Sequence, residues 1–113
     1  MEQGKKWALA FMLFADAHGN QLPKEFEQLG FWDTADGLSR SNWEIMSSGN
    51  LTNFANPGRT VLLREKNAIK SPGGDFTRIY VFADGHAERL FSSDSDFAAL
   101  EKKRGFVSRT IRE

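Results

Sequence analysis

The two histidines of the chain, His18 and His86, each stand two residues after an aspartate, Asp16 and Asp84, and the second pair is compressed into the tripeptide Asp84-Gly85-His86. Two imidazoles and two carboxylates are the donors of a small zinc or iron site, provided that they converge within about 2.0–2.2 Å of one ion. The tripeptide also separates an apolar, β-branched run (77–83) from a more polar one (86–91), and Asp-Gly in that setting signals a tight hairpin turn of type I′. Asp84 and Gly85 would then fix strand register, with His86 opening the returning strand. A second oxygen-rich stretch, Ser92-Ser93-Asp94-Ser95-Asp96, offers Asp94 and Asp96 to a calcium ion. It lacks the spacing and the closing acid of an EF-hand, and serine and aspartate before an apolar helical run read first as caps.

Other chemistries have less to stand on. No serine sits in a G-x-S-x-G elbow, so a triad has no local signature. Glu25, Glu27, Asp33, Asp36 and Glu44 are carboxylates available to a glycosidase, yet their number says nothing of the paired geometry that reaction needs. Gly73-Gly74 lacks the spacing of a phosphate-binding loop and leads into a strand, hence a turn. Phe31, Trp32, Trp43 and Phe54 can be read in two ways: as core anchors of an irregular segment, or as stacking surfaces for glycans or peptides. The second reading makes the chain a periplasmic or cell-surface binding module. A small metal-dependent enzyme using His18, Asp84 and His86 is a third.

These residues need a scaffold, and 113 residues allow one core. Ten phenylalanines and three tryptophans suggest that it is built from large rings. Lysine plus arginine equals aspartate plus glutamate at 15 each, so no net field draws the protein to nucleic acid or to an anionic membrane. The absence of cysteine removes disulfides, thiolate catalysis and cysteine-ligated zinc, and leaves the compartment open.

Residues 5–17 combine strong helix formers with no glycine or proline, and His18-Gly19-Asn20 supplies a stop. This helix is apolar around most of its circumference, so it asks for cover on most sides. Residues 20–60 read as a long excursion with local turns, one helical turn at 23–29, and aromatic anchors. Residues 60–65, 77–83 and 86–91 read as three antiparallel strands, and 97–104 as a short C-terminal helix that Gly105 ends, acid at its start and base at its end. The expected fold is α+β: an N-terminal helix on a small antiparallel sheet of three or four strands, with a long loop region.

Three stretches in this order, ALAFMLFADAHGNQLP at 8–23, NPGRTVLLREK at 56–66 and RIYVFADGHAERL at 78–90, resemble the head domains of bacterial pseudopilin-like proteins of the type II secretion and type IV pilin-like group. The resemblance is to the variety abundant in planctomycetes and verrucomicrobia, with a hairpin of the form FADGH near the C-terminus. It implies a pilin-like fold and a non-enzymatic structural subunit of a secretion pseudopilus or pilus-like fibre, involved in protein secretion. The membrane half of the long helix would precede these residues and anchor the protein in the inner membrane, with the head in the periplasm. Partners would be other pseudopilin subunits, met through the helix, and secreted cargo. No cofactor is implied beyond the calcium that some major pseudopilins hold in a C-terminal loop, to whose motif no residue here corresponds.

Overall fold

The computed structural model describes residues 2–25, 28, 42–94 and 96–107. Helix α1 spans Glu2–Ala17 and ends as its sequence requires. Gly19 and Asn20 both take positive φ, and the Asn20 amide turns back to the Ala15 carbonyl at 2.7 Å. Asparagine is among the few non-glycine residues at ease there, so the chain reverses without strain.

Strands β1 (Gln21–Leu22), β2 (Trp43–Ile45), β3 (Gly49–Asn50), β4 (Val61–Glu65), β5 (Ile69–Lys70), β6 (Phe76–Phe82) and β7 (Ala87–Ser92) follow, then helix α2 (Phe97–Lys103). β1 and β3 form a two-stranded antiparallel ribbon, and the other five strands form one antiparallel sheet. The sheet is thus wider than the three or four strands expected, because β2 comes from within the segment read as a loop. β6 is its axis. One edge of β6 carries β7 along its length, and the other carries β4 opposite Tyr80–Phe82 and then β5 opposite Phe76 and Thr77.

Alternation along β6 explains why residues 79–83 are apolar without a break. Ile79, Val81 and Ala83 join a core with Trp7, Phe11, Leu22, Trp43, Phe54, Leu62 and Leu63. Tyr80 and Phe82 point the other way, into a second core with Val61, Leu90 and Phe97, on which Leu100 and Phe106 also pack. A strand covered on both faces loses the polar half of its pattern. Helix α1 covers the first face and approaches it closely: a Cβ placed on Gly4 would lie 3.0 Å from Ile79 Cγ2 and 3.4 Å from the Ala87 methyl. Helix α2 covers the second. It starts at Asp96, whose side chain accepts the Ala99 amide at 3.1 Å, and ends with Gly105 at φ 72° and the Phe106 amide bonded to the Glu101 carbonyl at 2.9 Å. That pairing of caps is the Schellman arrangement.

The hairpin between β6 and β7 departs from the two-residue type I′ turn expected. The Gly85 amide donates to the Phe82 carbonyl and the Phe82 amide to the His86 carbonyl, each at 2.9 Å, so the loop has three residues, 83–85. Only Gly85 of the three has positive φ, at 93°. This is a type I turn followed by a glycine bulge. His86 therefore closes the bulge instead of starting β7. A Cβ on Gly85 would meet nothing nearer than Met12 Cγ at 3.8 Å, so space is available and backbone angle is the constraint. Gly85→Val is expected to cost about 1–3 kcal/mol of stability and Gly85→Asn clearly less, as read from chemical denaturation midpoints. Equal midpoints for the two variants would rule out a left-handed residue at this position.

Candidate functional site

At the hairpin tip His86 is held from three sides. Its ring stacks on Phe82 with 4.4 Å between centroids and 5° between planes. Its Nδ1 pairs with Asp84 Oδ1, and its main-chain amide donates to the same oxygen at 3.1 Å. Glu88 Oε1 lies 3.9 Å from Nε2, and Arg104 reaches that glutamate oxygen at 3.6 Å. Burial by itself would raise the Asp84 carboxyl, but the amide and ring of His86 outweigh it, and the group sits below the ordinary carboxylate range. Asp84 thus orients His86, as the aspartate of a triad would. Among the described residues no serine or threonine hydroxyl is hydrogen-bonded to His86.

His18 lies elsewhere on the surface, at the end of α1. Its Nδ1 contacts the Phe14 carbonyl at 2.7 Å, and its ring stacks on Phe14 with centroids 3.9 Å apart. Among the described residues no three histidine, aspartate or glutamate side chains gather around a common point. Asp94 and Asp96 are used locally. Asp94 Oδ1 accepts the Ser92 hydroxyl at 2.7 Å and the Asp96 amide at 3.0 Å, which hold its carboxyl below its ordinary range, the hydroxyl foremost. Asp96 is the N-cap of α2.

The stacking reading of the aromatics needs correction at two positions. Trp43 is 1% exposed and Phe54 8%, both inside the α1-side core, so neither ring can offer a face to a glycan or peptide. Trp43 is carried inward by its place on β2, opposite Glu65 of β4. Phe31 and Trp32 lie outside the described residues, as do Phe26 and Leu29 of the expected helical turn and the candidate carboxylates Glu27, Asp33 and Asp36.

The densest polar cluster joins four elements, β2, β4, β6 and α2, on the α2 side of the sheet. Arg64 on β4 donates from Nε to Glu44 Oε1 of β2 at 3.0 Å, and from Nη1 to both carboxylate oxygens of Glu101 on α2, at 2.8 and 2.6 Å. The Tyr80 hydroxyl donates to Glu101 Oε2 at 2.5 Å, and Arg78 Nη1 stands 4.0 Å from the same oxygen. Burial works against the Arg64 charge, but Glu101 and then Glu44 outweigh it, so the guanidinium is held even more firmly protonated than usual. Burial first and the Glu101 carboxylate second push the Tyr80 phenol well above the ordinary tyrosine range, fixing it as a hydrogen donor. Every charge in this group has a partner. Its chemistry is to fasten α2 to the sheet, and Glu44 is spent on it.

Sequence reasoning missed this cluster because its members are scattered between positions 44 and 101. One signal was available: Arg64 follows Val61-Leu62-Leu63 on a buried strand, where a charge must find a partner.

Outside the cores, α1 carries a different feature. Leu9 and Leu13 are one turn apart and 54% and 45% exposed, while Trp7, Ala8, Ala10, Phe11 and Ala15 are buried against the sheet. The all-round cover expected from the helix's composition is absent along this stripe among the described residues.

The class so defined is an α+β domain with a helix on each face of an antiparallel sheet and a histidine–aspartate pair at its hairpin tip. No family model, curated protein or solved structure matches the chain.

Proposed function

We propose that this chain is the head of a pseudopilin- or pilin-like assembly subunit, a structural protein without catalytic activity. The observation that carries the reading is the exposed Leu9–Leu13 stripe on a helix whose opposite side is buried in the head's own core. Apolar residues at i and i+4, left open on one helix, match the packing of that helix against helices of neighbouring copies. The three stretches that resemble pseudopilins support it further, since they supply α1 with its stop, strand β4, and the β6–β7 hairpin.

Under this reading the anchor is an N-terminal continuation of α1 in the inner membrane, the head stands in the periplasm, and cargo for secretion is met by head surfaces. No helix among the described residues is long and apolar enough to cross a membrane.

The chain has no cysteine, so a single introduced thiol reports on its own contacts. With Leu9→Cys or Leu13→Cys placed in the chromosomal gene, oxidation or a short bismaleimide is expected to yield a ladder of cross-linked copies. The exposed control Lys70→Cys, on the edge strand β5, is expected to give much less. Cells that express the variants normally and show only the uncross-linked chain would refute the assembly role.

A further inference from the structure

Strand β4 and strand β5 lie along the same edge of β6, interrupted at residues 66–68. At the break the backbone ladder is replaced by side chains. Glu65 Oε1 accepts the Ile79 amide at 2.8 Å, while Arg78 donates from Nε to the Glu65 carbonyl and from Nη2 to the Lys66 carbonyl, both at 2.7 Å. β4 is thereby held away from β6 just where the chain turns out, and a cavity of about 180 Å³ opens between Asn42, Trp43, Glu65, Asn67 and Ile69.

Glu65 is the unusual member, being 8% exposed and lining the cavity. A carboxylate that lines a cavity with one oxygen engaged has the other left to meet a cation that enters it. Among the described residues the carboxylate's one hydrogen bond is from the Ile79 amide to Oε1, and none of the ion pairs includes it. The guanidinium of Arg78, the nearest basic group bonded to this segment, is occupied by main-chain carbonyls and leans toward Glu101 and the Phe97 ring.

We infer that this cavity is a binding site for a primary alkylammonium group, such as a lysine side chain or a free amine. Its volume is below the roughly 300 Å³ at which sites for drug-sized ligands begin, and suits one side chain. A guanidinium prefers both oxygens of a carboxylate side by side, and here one of them is engaged by the Ile79 amide. An ammonium is a point charge with three donors, which the remaining oxygen of Glu65 and the side-chain carbonyl of Asn67 at the cavity's exposed rim can accept. Its alkyl stem would run over Ile69, which is exposed. The site does not depend on the assembly reading.

The test is a 1H–15N NMR titration of the whole chain with n-butylammonium chloride at constant ionic strength, with n-propylguanidinium chloride and sodium butyrate as comparisons. Saturable shifts are expected at the Ile79 and Asn67 amides and the Trp43 indole, strongest for butylammonium and absent for butyrate. Glu65→Gln keeps an acceptor for the Ile79 amide and is expected to weaken binding at least tenfold; Asn67→Ala, at an exposed position, severalfold. Titrating the protein alone separates the sources: shifts of the same signals with rising protein concentration assign the ammonium to a lysine of a second copy, and their absence assigns it to a free amine or another protein. No saturable shift in the unaltered chain, or equal affinity in both variants, overturns the site. If Glu65→Gln fails to fold, undiminished affinity in Asn67→Ala overturns it.

Discussion

Phe11→Ala is expected to lower the stability of the domain by about 3–5 kcal/mol, the usual cost of deleting a buried ring. Phe11 has no exposed surface, stands edge-on to Trp7 with centroids 6.4 Å apart, and belongs to the core between α1 and the sheet. Its neighbours there include Trp43 and Phe54, large rings that cannot swing into the vacated space without losing their own contacts. A natural domain has only about 5–15 kcal/mol in all, so the variant should stand near the edge of folding. Leu9→Ala, two positions earlier but outward-facing, is expected to change stability by less than about 0.5 kcal/mol. Urea unfolding of both variants measures the contrast. Similar midpoints would mean that the buried side of α1 has been wrongly identified.

Removing Glu101 should have the next largest effect. Glu101→Ala leaves the Arg64 guanidinium with Glu44 alone and the Tyr80 hydroxyl with no acceptor. The side chains of Arg64 and Glu101 are 19% and 20% exposed, so solvent can repair part of the loss. The expected cost is about 2–3 kcal/mol, at or below the lower end for breaking a buried ion pair. Tyr80→Phe should be costly in the natural background and close to neutral once Glu101 is alanine, giving a coupling of about 1–2 kcal/mol in a double-mutant cycle. Additive effects would show that the hydroxyl and the carboxylate do not act together. The apolar contacts of Phe97 and Leu100 remain in both variants, so α2 should persist, less firmly held.

Much of the architecture follows from local chemistry that can be read in one dimension. The stop at His18-Gly19-Asn20, the end of α2 at Gly105 and the strands 61–65 and 76–82 each depend on a few neighbouring residues, and each appears within a residue or two of where it was expected, while of the cap candidates in 92–96 the structure uses Asp96. The hairpin shows where that ends. Asp-Gly reads as a two-residue turn, yet the loop takes Ala83 as well, because Ala83 donates its amide to the Thr60 carbonyl across the sheet. A contact with a residue 23 positions away selects the turn type. Strand β2 escaped notice for a similar reason: three residues are too few for a periodic pattern, and its pairing partner is β4.

Determined by the sequence alone are the α+β class, the order of the main elements, the hairpin that carries His86, and the lack of any thiol chemistry. Only the tertiary structure distinguishes among residues of like type. It buries Trp43 and Phe54 and leaves Leu9 and Leu13 open, gives Glu44 and Glu101 an arginine, and among the described residues leaves Glu65 without one. The reason is physical. Caps and turns are satisfied by atoms a few residues away, whereas burial and ion pairing depend on which surfaces meet when α1 and α2 close on opposite faces of the sheet. That choice of faces is made by the chain as a whole, and with it the difference between an anchor, a latch and a binding site.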